Sequence, residues 1–140
     1  MADVIYNSFK KNIMNGSIDL DTDTIKVALV TSSYSPNQDT HEDMADVSNE
    51  VSGTGYTAGG ATLANKAVTA DNTDNEGVFD ADDVTWSGST ITARGAVVYK
   101  STGTAANDLL ICYIDFGEDK VSSSGNFKIA WNAEGILNLG

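Results

Sequence analysis

From Thr24 onward the hydrophobic pattern of this chain runs with a period of two. Ile25, Val27 and Leu29 alternate with Lys26, Ala28 and Val30, and near the other end Phe127, Ile129 and Trp131 alternate with Lys128 and Ala130. Successive side chains of an extended chain point to opposite faces, so this period assigns both segments to strands with one strongly apolar face. Further strand candidates recur between them: residues 62–69, short runs at Val78-Phe79 and Val84-Thr85-Trp86, and residues 90–100, where Ile91, Ala93, Val97 and Tyr99 share a face. Residues 109–116 are apolar on both faces, as a central strand requires, and residues 136–139 close the sheet. Gly88-Ser89 and residues 122–125 carry turn chemistry, and one proline against thirteen glycines suits short strands joined by tight turns. The expected fold class is therefore all-β, an antiparallel β-sandwich or barrel-like module. No repeat of fixed period interrupts it.

The N-terminus reads differently. Within residues 1–16, Ile5, Phe9 and Ile13 recur every four residues with Tyr6 adjoining, which predicts a short amphipathic α-helix over residues 3–15. Asp3 is placed to cap its start, Gly16 to end it, and Lys10 and Lys11 suit the C-terminal end of the helix dipole. So short a helix is marginal alone and must pack on its own sheet or on a neighbouring subunit. Residues 1–140 are expected to form a single domain, since 140 residues match one core. The longest stretch without a clear element is the acidic, glycine-rich segment 38–60, with one helical turn expected around residues 41–45. It follows a turn at Tyr34-Ser35-Pro36-Asn37, and loops of this length are often contact surfaces.

Twenty Asp and Glu against eight Lys and Arg give a net charge of −12. Such a surface repels phosphate backbones and anionic membranes, so neither nucleic acid nor membrane is an expected partner. Cys112 is the only cysteine, which excludes an internal disulfide, and its apolar neighbours predict a buried thiol. With no secretory signal and no stretch long enough to span a bilayer, synthesis in a cytoplasm is expected.

No catalytic constellation emerges. His41 is the only histidine, which rules out multi-histidine metal sites and leaves one candidate base in a polar loop. Gly53-Thr54-Gly55-Tyr56-Thr57-Ala58 fits a dinucleotide-binding spacing, but no strand enters it and no helix leaves it, so a flexible loop or a close backbone approach explains the glycines. Asp115-Phe116-Gly117 matches the metal-binding triplet of protein kinases, yet the chain is too short for that fold and lacks the catalytic-loop motif. Carboxylates cluster at Asp19, Asp21 and Asp23, at Asp71 and Asp74, and at Asp80, Asp82 and Asp83. A helix-loop-helix calcium loop beginning at Asp19 would need glycine where Thr24 stands and an acid where Val30 stands. A weak calcium site without a strict motif is the one cofactor the sequence leaves open; no catalytic, cofactor-binding or metal residue is otherwise assigned. Among the aromatics, Tyr99 and Trp131 alternate within strands and are expected in the core, whereas Tyr34 and Tyr56 lie in loops and are candidates for partner contacts.

Three segments carry a resemblance. The run from Ile5-Tyr6-Asn7-Ser8-Phe9-Lys10 through Leu20 to Leu29, the stretch Asn49-Glu50-Val51-Ser52-Gly53-Thr54-Gly55-Tyr56-Thr57-Ala58-Gly59-Gly60, and the closing Trp131-Asn132-Ala133-Glu134-Gly135-Ile136-Leu137 resemble a family of small virion proteins of tailed bacteriophages and prophages. The likeness covers nearly the whole chain, and the glycine-rich segment is its most distinctive part. It implies a head-associated structural protein of the decoration or cement type, located on the capsid surface of the virion, and carries over no catalytic or metal-binding residue. The expected partners are the major capsid protein and further copies of the chain, with a trimer fitting assembly about a capsid axis. Ile5, Tyr6, Phe9, Ile13, Tyr34 and Tyr56 are the expected capsid or subunit contacts. A tail or baseplate component is the alternative within the same class, and a carbohydrate-binding β-sandwich module using loop aromatics is the alternative outside it.

Overall fold

The structure is a computed structural model that describes residues 2–140. The elements are β1 (Val4–Ile5), α1 (Asn7–Met14), β2 (Ile25–Val30), β3 (Ala61–Thr62), β4 (Ala67–Asp71), β5 (Glu76–Asp80), β6 (Val84–Lys100), β7 (Leu110–Ile129) and β8 (Leu137–Leu139), with short 3-10 turns at Met44–Asp46 and Ala105–Asn107. They form two antiparallel sheets, one five-stranded in the order β1-β7-β6-β2-β3 and one three-stranded in the order β4-β5-β8. This is an all-β, sandwich-like fold with one short N-terminal helix.

Burial explains why the middle of the larger sheet is so apolar. In β2 the residues Ile25 and Val27 to Val30 are all inaccessible, as are Ala96, Val97 and Val98 of β6 and Leu110, Ile111 and Cys112 of β7. Consecutive buried residues require cover on both faces, and helix α1 supplies part of it by lying against β7. Each fully buried Val, Leu or Ile contributes about 1.5–3 kcal/mol, so this double-sided centre dominates the favourable side of folding.

Three local expectations are corrected. The helix is shorter than residues 3–15, because residues 4 and 5 leave it to pair with β7, Val4 opposite Tyr113 and Ile5 opposite Cys112. Asp3 therefore caps no helix; its Oδ2 accepts the Asp115 backbone N–H at 2.7 Å. Residues 62–69 are not one strand. Thr62 ends β3 in the larger sheet and Ala67 opens β4 in the smaller one, with the turn aided by Asn65 at φ 53°. Finally, Gly88-Ser89 and residues 122–125 are not inter-strand turns but irregularities inside β6 and β7. There the buried Ser89 Oγ reaches Ser122 Oγ at 2.8 Å and accompanies it with bonds to the carbonyls of Trp86 and Gly125, both 3.0 Å. The hydroxyls fill the backbone bonds that the shifted ladder leaves open.

Segment 38–60 is pinned rather than loose. Its helical turn is the 3-10 turn Met44–Asp46, with a capping box between Asp43 and Asp46. Isolated bridges tie Asp43 to Leu109 and Glu50 to Val30. Gly60 sits at φ 80°, where a Cβ would collide with the Val27 carbonyl, so the close backbone approach is the reason for glycine there.

Candidate functional site

The best-formed concavity is built by β7. On one edge this strand pairs with β6, whereas β1 covers its other edge only at Cys112 and Tyr113. Beyond that point the register with β6 jumps: Gly95 opposes Asp115 and Ala93 opposes Lys120, so residues 116–119 stand against Arg94 alone. Such bulges bend a strand and re-aim its side chains. The bend leaves a groove of about 450 Å³ lined by Ile114, Phe116, Val121, Phe127, Ile129 and Trp131 with Lys120 and Lys128. Phe116 and Phe127 lie 6.2 Å apart between ring centroids, and Phe127 meets Trp86 edge-on at 6.1 Å. Trp131 is corrected from core to groove wall: it follows the end of β7, is half-buried, and is held by its indole N–H to the Asp82 carbonyl at 2.8 Å and by its backbone N–H to Asp83 Oδ1 at 3.0 Å.

No carboxylate lines the groove. Lys120 Nζ meets Glu118 at 2.7 Å and Lys128 Nζ meets Asp83 at 3.6 Å, all four side chains being well exposed. The hydrogen bond from Lys120 holds the Glu118 carboxyl below its ordinary range. Just outside, Arg94 Nε donates to Asp115 at 2.8 Å, and that bond lowers the Asp115 pKa. An apolar floor with two ammonium groups at hand can hold an apolar side chain beside an anionic one.

The residues expected as contacts fall elsewhere. Tyr6, Phe9 and Tyr34 belong to the protein's own core, with 0%, 0% and 4% exposure, so they offer no surface to a partner. Ile5 and Ile13 are half-buried and pack against that core. Tyr56 is a clamp: its hydroxyl donates to Glu50 Oε2 at 2.5 Å and accepts the Leu29 N–H at 3.0 Å. Burial raises the pKa of Tyr6, Tyr34 and Tyr56. Lys120, Val121 and Lys128 were not singled out by sequence, and Phe116 only in a dismissed motif match; the one local signal is Val121, an apolar residue between Lys120 and a run of three serines.

Reactive groups are tied down. His41 Nδ1 faces the Asn37 backbone N–H at 3.2 Å, which can only donate, so Nδ1 accepts and the ring proton sits on Nε2. The same nitrogen lies 3.0 Å from Tyr34 Oη, which in turn meets Tyr6 Oη at 2.8 Å. Cys112 is inaccessible, and burial pushes its thiol up to about 12.

Of the carboxylate clusters, two serve structure. Asp19 accepts the N–H groups of Asp21 and Thr22 in a turn, Asp23 pairs with Lys100 at 3.1 Å, and Asp82 and Asp83 hold Asn65 and Trp131. The third is larger than the sequence indicated. Asp71 and Asp74 are joined by Glu76 across the β4–β5 hairpin and by Glu134 ahead of β8, with ligand oxygens all within 4.8 Å of one another. Hard oxygen donors of this kind suit calcium.

No helix among the described residues is long and apolar enough to cross a membrane. Comparison with known proteins returns no match among family models, curated proteins or solved structures.

Proposed function

We propose that this chain is a non-enzymatic structural protein of a tailed-bacteriophage virion, a decoration or cement protein that binds the major capsid protein on the outer head surface. The observation that carries the reading is the contrast between its buried reactive groups and its open contact groove. The lone thiol and three tyrosine hydroxyls are buried or hydrogen-bonded, while β7 presents apolar and cationic side chains to solvent. The family resemblance supplies the virion context, and a charge of −12 suits a protein present in many copies near a packaged genome. Attachment then runs through the β7 groove, with Ile5, Ile13 and Tyr56 as the partly accessible remainder of the expected contacts.

The test is to add the purified protein to genome-free capsids that lack it. Saturable, symmetric density on the outer head surface is the expected result. No binding refutes the capsid placement, and labelling of intact particles at the tail alone moves the protein to a tail or baseplate role. A carbohydrate-binding reading draws on one feature, the half-buried Trp131 indole in the groove wall. A glycan array without hits removes it.

A further inference from the structure

We propose that two copies of this chain pair edge to edge in solution, strand β4 of one lying antiparallel to β4 of the other across a twofold axis. Four strands end the two sheets, and three of them are very short: β1 and β3 have two residues each and β8 has three. Only β4, with five residues, gives its sheet an end edge of ordinary strand length. Soluble proteins blunt such edges with proline, lysine, inward-pointing charges or bulges. Strand β4 has none of these. Ala67, Val68, Thr69 and Ala70 are uncharged and exposed, and the ladder to β5 runs from Ala67 to Asp71 without a shift of register. Lys66, the nearest lysine, is tied to the Asp23 carbonyl.

Backbone alternation fixes which groups face outward. The Phe79 carbonyl accepts the Ile136 N–H at 2.8 Å, so Phe79 turns its polar backbone toward β8 and away from β4. Val68 opposes Phe79 and Ala70 opposes Gly77, which leaves the N–H and C=O groups of Val68 and Ala70 at the open edge. The side chains are unfinished in the same place. Leu137, Phe79 and Val68 form one cross-strand row, exposed by 1%, 2% and 50% in turn, so an apolar row that begins in the core ends in water at Val68. A second β4 completes both patterns. With Thr69 on the axis, Val68 of each copy pairs with Ala70 of the other, and the two pairs exchange about four backbone hydrogen bonds. Val68 gains an apolar neighbour on its own face, and Asp71 falls opposite Ala67, so no carboxylate faces another. The edge is thus its own complement, as an isologous contact requires. It shares no residue with the β7 groove, so the pairing is independent of the capsid reading.

One short edge falls below the roughly 1,000 Å² of a stable interface, so the pairing is weak and needs high concentration. Sedimentation velocity of the full chain, from about 10 μM to on the order of 1 mM, should show a monomer–dimer equilibrium. Val68→Pro removes an outward N–H and leaves the ladder to β5 intact, and it should weaken the dimer about tenfold or more. Near-UV circular dichroism from the two tryptophans verifies the fold, and Val68→Lys serves if proline disturbs it. Amide exchange adds a readout specific to this edge: Val68 and Ala70 should slow as concentration rises, whereas Thr69, whose N–H faces β5, should not change. A monomer at every concentration overturns the inference. Association undiminished in both Val68 variants overturns it equally, as does exchange at Val68 and Ala70 that is indifferent to concentration.

Discussion

Replacing Tyr56 by phenylalanine takes one oxygen out of the clamp that holds the glycine-rich segment to the sheet. At Leu29 the neighbouring strand β3 has already ended, since it pairs only with Lys26 and Val27 of β2. The Tyr56 hydroxyl stands in for the missing strand, accepting the Leu29 N–H at 3.0 Å while donating to Glu50 Oε2 at 2.5 Å. Glu50 Oε2 also accepts the Gly59 N–H at 2.7 Å, and the Gly59 carbonyl accepts from Tyr99 Oη at 2.6 Å. Phenylalanine keeps the ring and its contact with Trp86, 5.9 Å between centroids. Losing a hydrogen bond to a carboxylate costs about 1.5–3 kcal/mol, and an unpaired N–H on a fully buried strand residue costs about 1–3 kcal/mol. Partial relaxation brings the expected loss for Tyr56→Phe to about 3 kcal/mol, or a fall in Tm of about 10 °C for a chain of this size. Urea unfolding followed by tryptophan fluorescence measures it. A loss below about 0.5 kcal/mol would refute the clamp, since it would mean that water serves Leu29 and Glu50 equally well. A cycle with Glu50→Ala should then show strong coupling, as both changes break the same bond.

Cys112 gives a pH signature. Its thiol rises from an unfolded value of about 8.5 to about 12 in the fold, so its stabilising effect is complete below about 8.5 and is lost as pH climbs through 12. The buried tyrosines shift the same way, so the urea midpoint should fall steeply in alkali, and Cys112 should resist thiol reagents at pH 8 until urea unfolds the chain. Gly60→Ala should destabilise by more than about 3 kcal/mol, combining a left-handed φ with a collision at the Val27 carbonyl. Gly103→Ala, at φ 90° with open space around it, should cost only about 1–2 kcal/mol, and comparing their chemical denaturation isolates the close approach. Phe127→Ala should cost about 3–5 kcal/mol in urea unfolding, whereas Val121→Ser, at a 69% exposed position, should stay within about 0.5 kcal/mol.

Period-two patterning was enough to recover β2, the last residues of β7 and the all-β class, and the run apolar on both faces recovered the start of β7, because each reports a physical requirement that acts residue by residue. It failed where a decision depended on a distant strand. Ile5 fits a helical face with Phe9 and Ile13 as well as it fits a strand, and only pairing with Cys112 decides between them. Gly88-Ser89 and Ser122 to Gly125 have the chemistry of turns because bulges use the same conformations, as φ values of 57° at Gly88 and 47° at Ser124 show. The acidic cluster was half legible: Asp71 and Asp74 are close in sequence, Glu76 follows from hairpin pairing, but Glu134 arrives only through the pairing of β5 with β8. The groove had no local signature beyond Val121, since a four-residue bulge in β7 creates it. Tyr34 and Tyr56 look exposed in a loop-like sequence; the partners that bury them, Tyr6, His41 and Glu50, are invisible to periodicity.

The strand order also governs how the chain can be made. Strand β2 finds its partner in residues 95–100, β1 waits for Cys112 and Tyr113, and β5 is completed only by Leu137 to Leu139. During synthesis the apolar stretch Ile25-Lys26-Val27-Ala28-Leu29-Val30 therefore emerges long before either of its edges can be paired, with Lys26 as its single charge. The larger sheet cannot close before β7, which runs to Ile129, has been synthesised. Closure of the larger sheet therefore depends on contacts far apart in sequence, which slow folding, and removal of Leu137 to Leu139 strips β5 of a neighbour.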